Sequence, residues 1–436
     1  MAIDDPLAGE DAAWLHMDRA SNPMVITALL ELDGVLSPAA LRELLEHRLL
    51  RFDRFRERVV EPPVGAGAPT WQRDPGFALA HHVHHHVLAT GDEAALRTAI
   101  DAVASTVLDR THPLWQLHVF DRPQRGTIVV ARIHHAIADG FALLAVLLAL
   151  CEGVDGADSS EPPPRGWLAT TRAAVSRAAR RLTRPAFMLA DLGQGARLLT
   201  SLARLVLLPP DHRSVLRGPL GPHKRVAWTR PLALAEIKAA GRREHATVND
   251  VVMAALAGGL RRYLLRGGTR VRDVRAMIPV NLRAPGGPVR LGNRFGLVVL
   301  ALPLEIGAAM PRLRELKRRM DALKRSGEAL VGMALLSAMG LAPRGLESLG
   351  VRFFSTKASA VLTNVPGPRT PLRLAGHTLV RMLFWVPQSG DLGLGLSIFS
   401  YLDTVSIGVM ADAGRVPDPE RLVADIEDAL AELLER

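Results

Sequence analysis

The chain has 436 residues, 48% of them hydrophobic, a length that exceeds what one core usually serves and therefore predicts two domains. Lys and Arg number 54 against 44 Asp and Glu, so the formal net charge of +10 favours an anionic partner such as a phosphorylated substrate or a lipid surface. Aromatic residues are 4% of the chain and Cys151 is its one cysteine, which argues against nucleic-acid binding by base stacking and excludes an internal disulfide and a cysteine-based zinc site.

The sequence predicts neither a secretory signal nor a membrane span. The N-terminal stretch at 1–18 is acidic and lacks the apolar core of a signal peptide. The longest apolar run, FALLAVLLALC (141–151), is shorter than the roughly eighteen residues that a spanning helix needs. We therefore expect a cytoplasmic protein that is soluble or attached peripherally to a surface, and the lone cysteine agrees with a reducing compartment.

The first part of the chain alternates strands with helices. A strand within 22–34 is followed by a helix at 37–52, with Ser37 as N-cap and Pro38 at the first helical position. Apolar periodicity predicts the elements that follow: a helix at 92–109, strands at 115–120 and 126–135, and a helix at 141–151. Mixed strands and helices in this order indicate α/β layers.

A connector separates two halves. Residues 153–166 read GVDGADSSEPPPRG, which is the composition of a linker. The basic helical stretch at 171–210 has two interpretations, an amphipathic segment that rests on anionic lipid or an interdomain helix pair with a solvated basic face. The predicted division is an N-terminal half at 1–152, a linker and basic connector at 153–216, and a C-terminal half at 217–436.

The C-terminal half repeats the α/β pattern. Its predicted elements are a strand at 223–230, helices at 232–245 and 247–266, a strand at 274–283, strands around 358–364, 379–385, 393–400 and 404–411, and a final helix at 418–436. The start of the second helix, TVND, is also a good capping sequence, so Asp250 has a structural interpretation.

The strand TIVVARIHH (127–135) ends in two histidines. One face of this strand carries an apolar row that ends in a histidine: Val129, Ala131, Ile133 and His135. His134 lies on the other face, beyond an arginine. Because burial disfavours the imidazolium, His135 should stay neutral and accept a proton near pH 7, as general-base catalysis requires. Asp139 follows in the loop, where Gly140 is expected to permit a tight backbone turn.

Other interpretations of these histidines stay open. A histidine on an apolar face is often a hydrogen-bonded core residue, and HHxxxD could be part of a metal site, although no third ligand of the right type is near. The second histidine cluster, HHVHHHV (81–87), has no carboxylate close in sequence. It is predicted as a solvent-lined strand, with adventitious metal affinity as the alternative, so no metal site is predicted.

Motifs in order along nearly the whole chain resemble one family of enzymes. HHAIADG (134–140) resembles the HHxxxDG acyltransferase superfamily, which includes chloramphenicol acetyltransferase and peptide-synthetase condensation domains. The other matching segments are WLHMDRASNPM (14–24), RFRERVV (54–60), LDRTHPLW (108–115), GPLGPHKRVAW (218–228), ATVNDVVMAALAGGLRRYL (246–264), MIPVNLR (277–283), LGNRFG (291–296), LTNVPGP (362–368) and VPQSGDLGLGLSIFSYLDTVSIGVMAD (386–412). The full set resembles the bacterial wax ester synthase/acyl-CoA:diacylglycerol acyltransferase family.

The resemblance implies a fold and a reaction. The fold is α/β, with two similar chloramphenicol-acetyltransferase-like halves, each a mixed sheet flanked by helices, and a tunnel between them. The reaction moves a fatty acyl group from acyl-CoA to the hydroxyl of diacylglycerol or a long-chain alcohol. Acyl-CoA is then a co-substrate, no cofactor is bound, and the basic excess suits the phosphates of CoA. The expected partners are these substrates and a membrane or lipid-inclusion surface, with no nucleic acid.

The resemblance also implies roles for single residues. His135 would take the proton from the alcohol, and His134 would orient the loop. Asp139 would form a structural ion pair with an arginine, for which Arg283 is a candidate, and Gly140 would have a conformational role.

The oxyanion donor stays open among three residues: Asn249, Asn281 and Ser389. Pro113, Leu114 and Trp115 are candidates for lining the acyl or alcohol channel, although Trp115 fits a plain core position as well.

Two further functions remain as alternatives. The chain could acylate a polyketide or peptide intermediate held on a carrier protein, or it could be a non-catalytic lipid-binding paralogue. The intact HHAIADG disfavours the second alternative, because a copy without activity could lose His135 freely.

Overall fold

Two large mixed sheets, a small third sheet and the helices that cover them form the described part of the chain. The computed structural model describes residues 5–62, 69–88, 90–122, 125–152, 199–212, 214–283, 291–341, 353, 355–388 and 390–435. The helices are α1 Gly9–Met17, α2 Pro38–His47, α3 Glu93–Ala104, α4 Gly140–Leu150, α5 Leu234–Arg243, α6 Val248–Arg266, α7 Ala309–Lys324, α8 Glu328–Leu341 and α9 Pro419–Leu434. Residues 199–207 are also helical.

The strands carry the sheets in an order that differs from chain order. They are β1 Asp5–Pro6, β2 Val25–Leu32, β3 Glu57–Val60, β4 Thr70–Arg73, β5 Val83–Val87, β6 Trp115–Arg122, β7 Gly126–His134, β8 Lys224–Trp228, β9 Leu232–Ala233, β10 Val274–Asn281, β11 Phe295–Leu302, β12 Ala360–Pro366, β13 Arg373–Leu374, β14 His377–Trp385, β15 Leu394–Tyr401 and β16 Thr404–Asp412. The small sheet has the order β1-β4-β3.

The first large sheet has six strands in the order β13-β14-β2-β7-β6-β5. Its neighbours are antiparallel except β5 and β6, which run parallel. Helices α2 and α4 belong to the same apolar cluster as the strand residues of one sheet face. Strands β13 and β14 come from the C-terminal part of the chain, so the first sheet contains strands from both sides of the predicted division at 153–216. The division itself stays a prediction.

The second large sheet has seven strands, with the path β11-β10-β12-β15-β16-β8 and β9 beside β16. Strand β12 runs parallel to both of its neighbours, β10 and β15, and the other pairs are antiparallel. Helix α6 packs against α9 at very close range, because a Cβ atom added at Gly259 would lie 2.4 Å from Cγ1 of Ile426. Glycine is therefore required there for the helices to meet.

Periodicity predicted most of these elements, and four of the helices begin at an N-cap residue whose side chain accepts a backbone hydrogen bond. The Ser37 hydroxyl accepts a hydrogen bond from the backbone N–H of Ala40 at 3.1 Å, as expected for an N-cap. Thr247 and Asp250 form a reciprocal capping box at the start of α6, which confirms the structural interpretation of Asp250. No secondary structure was predicted for α1, β1, β3 and β4, nor for the segment 291–341, which contains β11, α7 and α8.

Part of the predicted connector lies outside the described residues. This applies to the linker at 153–166 and to 171–198 of the basic stretch. Among the described residues, no helix combines the length and the apolar composition that crossing a membrane requires.

Candidate active site

A cavity lies where the two large sheets meet. The first sheet contributes Ile26 and Phe384, the second contributes Met277, Val361 and Thr363, and α1 contributes Trp14. His135 reaches the same cavity from the end of β7, followed by Asp139, Gly140 and Phe141. The cavity is therefore bounded by both halves of the chain, and most of its surface is apolar.

His135 is held in place by its backbone and by an aromatic ring. Its backbone N–H donates to the carbonyl of Met24 at 2.8 Å. The imidazole stacks on the indole of Trp14, with ring centroids 3.9 Å apart and an interplanar angle of 14°. Only 8% of the residue is exposed. Burial lowers the pKa of His135 well below its usual value, so the neutral ring predicted from the strand pattern is the form present at pH 7.

Asn293 determines which imidazole nitrogen carries the proton. Its side-chain NH2 donates to the carboxylate Oδ1 of Asp11 at 2.8 Å and to the His135 carbonyl at 2.6 Å. Its carbonyl Oδ1 must then accept from Nδ1–H of His135, at 2.8 Å. The proton therefore lies on Nδ1, and Nε2 keeps its lone pair for a substrate.

Asp11 extends this hydrogen-bonded chain into the core. Its Oδ1 also accepts the backbone N–H of Asn293 at 2.9 Å. Burial raises the pKa of Asp11 to about 7, against the lowering effect of the bonds from Asn293. Neither Asp11 nor Asn293 was predicted from the sequence as a site residue. Asn293 lies in the quoted segment LGNRFG, but nothing local marks that asparagine as a partner of a histidine 158 positions away.

The loop after His135 is clamped by a buried ion pair. Asp139 caps α4 through Oδ1, which accepts from the backbone N–H groups of Phe141 and Ala142 at 3.1 and 3.0 Å. Its Oδ2 accepts from the Arg283 guanidinium and from the backbone N–H of Arg294. The pairing of Asp139 with Arg283 that the resemblance implied is confirmed. An arginine from the C-terminal half therefore fixes a loop of the N-terminal half.

His134 points away from the cavity and orders the turn. Its Nδ1 accepts the backbone N–H of Ala136 at 3.0 Å, and its Nε2 lies 3.7 Å from the carboxylate Oδ1 of Asp18. This arrangement agrees with the expected role in orienting the loop.

The expectation that Gly140 permits a special backbone turn is wrong. Its φ angle lies outside the left-handed region, because the residue simply begins α4. Gly140 lines the cavity instead, and a Cβ atom there would lie 3.5 Å from Cγ2 of Val365. That distance is an ordinary van der Waals contact, so the described neighbours leave room for a Cβ atom at this position.

The three candidate oxyanion donors lie in different places. Asn281 lines the cavity, and its Oδ1 accepts the backbone N–H of Arg283 at 3.0 Å. Asn249 is not among the described lining residues; its Oδ1 accepts from the side-chain NH2 of Asn364 at 2.8 Å. Ser389 lies outside the described residues.

The predicted channel residues are also separated. Trp115 lines a second, apolar cavity, which shares Ile26 and Phe384 with the first one. Its indole N–H donates to the carbonyl of Phe55 at 2.9 Å. Pro113 and Leu114 are buried beside it, and the Leu114 carbonyl accepts the backbone N–H of His134.

The 81–87 cluster forms the edge strand β5 and the turn before it. His85 faces solvent, as predicted, whereas His82 is buried and stacks on Trp115 at 4.4 Å. The whole cluster is therefore not a solvent-lined strand, because the turn at 79–81 directs His82 inward. No group of three or more His, Cys, Asp or Glu side chains that could hold a metal occurs within the part of the chain that the structure describes.

A buried histidine on a cavity between two mixed sheets, in a loop held by an Asp–Arg pair, defines the class of HHxxxDG acyltransferase folds. Residues 7–252 match the wax ester synthase/diacylglycerol acyltransferase catalytic domain, and residues 291–434 match the WS/DGAT C-terminal domain. The chain belongs to the wax ester synthase/diacylglycerol acyltransferase family.

Relatives and solved structures agree with this assignment. A Mycobacterium tuberculosis protein named as a probable diacylglycerol O-acyltransferase, tgs1, is 29% identical over 97% of this chain and 94% of its own length. A second M. tuberculosis protein, named as a putative diacylglycerol O-acyltransferase, is 31% identical over 96% of this chain and 93% of its own length.

The fold is similar to that of the wax ester synthase/diacylglycerol acyltransferase from Marinobacter aquaeolei VT8, with a TM-score of 0.70, 23% identity and 98% of both chains covered. It is also similar to the first condensation domain of the calcium-dependent antibiotic synthetase, with a TM-score of 0.62, 17% identity, and 100% and 96% coverage. The predicted two-half α/β architecture is confirmed.

The Asp139–Arg283 pair predicts a specific loss of stability. Asp139 is only 4% exposed. In Arg283→Met its carboxylate stays buried but no longer has the guanidinium that neutralises it. Breaking a buried pair in this way costs about 3–5 kcal/mol, so the melting temperature should fall by several degrees. Arg314→Met is the matched control, because Arg314 is 62% exposed in its pair with Glu244, and exposed pairs contribute about 0–1 kcal/mol. Equal melting temperatures of the two variants would contradict the clamp.

Proposed function

We propose that this protein is an O-acyltransferase that moves a fatty acyl group from acyl-CoA to the hydroxyl of diacylglycerol or a long-chain alcohol. The observation that carries the proposal is the neutral His135, with Nδ1–H bound to Asn293 and Nε2 unprotonated, on an apolar cavity. Family membership and the names of the M. tuberculosis and Marinobacter proteins support the reaction type.

His135 moves one proton in each direction. Nε2 takes the proton of the alcohol as its oxygen forms a bond to the thioester carbonyl carbon. When the tetrahedral intermediate collapses, the C–S bond breaks and the sulfur of CoA leaves with the proton from Nε2. The ester and free CoA are the products. Asn293 keeps the ring in the tautomer that both steps need.

No acyl-enzyme is part of this proposal. Burial raises the pKa of Cys151 to about 12, and this residue lies at the far end of α4 from Asp139. A thiol with that pKa is not the thiolate that attacks an acyl group. Direct attack by the alcohol is therefore the supported route, with acyl-CoA as co-substrate and no bound cofactor.

Asn281 is the favoured oxyanion donor. Because its Oδ1 already accepts the N–H of Arg283, its side-chain NH2 is the group left to donate. Asn281 borders the same cavity as His135, whereas Asn249 is bonded to Asn364. Removing such a donor typically costs about 3–4 kcal/mol of transition-state stabilisation.

The location we propose is the cytoplasm, with peripheral attachment to a membrane or lipid inclusion. The net charge of +10 supports contact with anionic lipid and with the phosphates of CoA. The lipid substrates themselves reside in such surfaces.

Replacing His135 tests the reaction directly. The wild type should release CoA from hexadecanoyl-CoA when offered diacylglycerol or hexadecanol, and His135→Ala should lose about 10²–10⁴-fold in kcat while its melting curve stays close to that of the wild type. Thiol release is measured with each acceptor in turn. If the wild type releases no CoA with any of these acceptors, or if the folded variant keeps full turnover, the proposed function fails.

The pH profile should show an acid limb displaced below the ordinary histidine value. Because burial lowers the pKa of His135, the ring stays neutral as pH falls, and kcat/KM should decline only well below pH ~6.5. A nearby group that titrates in the neutral range is Asp11, whose pKa burial raises to about 7. Asp11→Asn separates the two, since a limb that persists in this variant belongs to His135. If the acid limb that persists in Asp11→Asn has its midpoint at or above pH ~6.5, the lowered pKa of His135 is contradicted.

Asn293→Ala should lower kcat without a matching rise in KM. The variant removes the acceptor for Nδ1–H, so the ring populates both tautomers and rotates more freely, but no substrate contact is lost. We expect a fall of about 10–100-fold in kcat, as for other residues that orient a functional histidine. Asn249→Ala, at an asparagine outside the described lining, is the matched control. A rise in KM with unchanged kcat would assign Asn293 to substrate binding instead.

A further inference from the structure

One face of the His135 imidazole is covered by the indole of Trp14. The two rings are nearly parallel, with an interplanar angle of 14° and centroids 3.9 Å apart, so their faces are in contact. Phe295 is also near, but its ring is tilted by 55° against the imidazole and its centroid lies 5.9 Å away. Among the described aromatic side chains, Trp14 is therefore the one that presents its π-face to the imidazole.

Packing holds the indole of Trp14 in this position. Only 7% of Trp14 is exposed, and it belongs to an apolar cluster with Met24, Phe295 and Leu336. Its indole N–H has no hydrogen-bond acceptor among the described residues, although a buried tryptophan usually has one. A buried donor without an acceptor costs free energy, so hydrogen bonding does not explain why a tryptophan occupies this position. The stack on His135 is the close ring contact that the indole makes instead.

Helix α1 supplies two different contacts to the same imidazole. Asp11 and Trp14 are three residues apart on α1, so they lie on the same face of the helix. Asp11 binds the side chain of Asn293, which accepts from Nδ1–H of His135 in the plane of the ring. Trp14 covers the ring from one side. The helix therefore contacts the ring through its edge and through its face.

In the proposed reaction, the ring of His135 carries a positive charge during part of each turnover. Nε2 takes the proton of the alcohol and later gives it to the sulfur of CoA, so the imidazolium exists between these two transfers. Burial of the ring disfavours this charged form. A cation over an aromatic face is attracted by the negative side of the π-system, most strongly by tryptophan and in a desolvated site. The neutral imidazole has no net charge and gains much less from that attraction.

The charged groups around the ring do not replace this contact. Asp139 follows in the same loop, but its carboxylate is paired with Arg283. Asp11 reaches the ring only through Asn293, and burial raises its pKa to about 7, so its negative charge is incomplete at neutral pH. His134 precedes the ring in the chain and carries no negative charge. Apart from the amide oxygen of Asn293, the face of the indole is therefore the negative potential in direct contact with the ring.

We propose that Trp14 is a positioning residue that acts through His135, an inference that rests on the proposed function: its indole face stabilises the imidazolium that forms when the alcohol loses its proton. Because the contact is stronger with the charged ring than with the neutral ring, it lowers the barrier of the chemical step rather than only holding the substrate. A cation–π contact in a desolvated site corresponds to about 10-fold in rate.

Trp14→Phe and Trp14→Leu form the matched pair that tests this role, because both side chains are smaller than tryptophan and only phenylalanine keeps a π-face. With hexadecanoyl-CoA and hexadecanol at pH ~8, kcat of Trp14→Leu should lie about 10-fold below the wild type and at least about 3-fold below Trp14→Phe, with similar KM values for the two variants. Trp14→Met replaces Trp14→Leu if the latter does not fold, since its flexible side chain fills irregular gaps.

The control is a second buried tryptophan, Trp71, which lies on β4 outside the described lining of the cavity. Trp71→Phe and Trp71→Leu make the same two changes away from His135. Their kcat values should be equal to each other, whatever the substitutions cost in stability.

The acid limb of kcat/KM separates stabilisation of charge from shielding against water. If the indole face stabilises the imidazolium, its loss lowers the pKa of His135 further, and the limb of Trp14→Leu should lie about 0.5–1 pH unit below that of Trp14→Phe. If Trp14 only excludes water, its loss lets water reach the ring, and the pKa rises toward its ordinary value. Both variants are compared in the Asp11→Asn background, which removes the titration of Asp11.

Each outcome decides for or against the inference. Equal kcat values for Trp14→Phe and Trp14→Leu, or a limb of Trp14→Leu at or above that of Trp14→Phe, would overturn it. If a variant unfolds before its limb is reached, the ratio of the kcat values decides.

Failure of the proposed function is recognised separately, because the wild type then releases no CoA with any acceptor. The contact with Trp14 is in that case tested by NMR titration of the His135 ring in protein that carries labelled histidine, with the signal assigned by its absence in His135→Ala. Trp14→Leu should again titrate at lower pH than Trp14→Phe, and the reverse order or equal values would count against the inference.

Discussion

The hydrogen bond from Nδ1–H of His135 to Oδ1 of Asn293 is the interaction on which the site depends. It selects one tautomer and leaves Nε2 free, but it is effective only because the ring is buried and stays neutral. In water the same imidazole would rotate and titrate near its ordinary pKa. Burial and a single amide acceptor together produce an imidazole that is both uncharged and fixed in direction.

That bond joins two distant parts of the chain. The contacts that hold the loop at 135–139 join the same two parts. Arg283 and the 291–294 segment approach the loop at 135–139 from the second half, with a backbone bond from the N–H of Gly292 to the Ile137 carbonyl at 2.8 Å. Strand β14 crosses in the same direction to complete the first sheet. The candidate site is therefore assembled only when both halves have folded, because neither half alone contains all of these contacts.

The apolar character of the cavities has one physical cause and several effects. Desolvation lowers the pKa of His135, raises that of Asp11 and makes Cys151 unreactive. It also strengthens the Asp139–Arg283 pair and disfavours water, which would otherwise compete with the alcohol for a thioester. An enzyme for hydrocarbon substrates needs such a lining anyway, so substrate binding and tuning of the base use the same side chains.

Local patterns in the sequence determined most of the elements and the position of one candidate site residue. Alternation placed His135 at the end of an apolar row, and helix caps such as Ser37 and Thr247 were correct, because these features depend on neighbours within a few positions. The motifs indicated the family and the partner of Asp139. Tertiary structure alone decided that Asn293 and Asp11 support the histidine, that Gly140 begins a helix on the wall of the cavity, and that a second apolar cavity lies against β2 and β7. These features depend on contacts between residues far apart in the chain and on how helices pack over a sheet, which no local periodicity encodes.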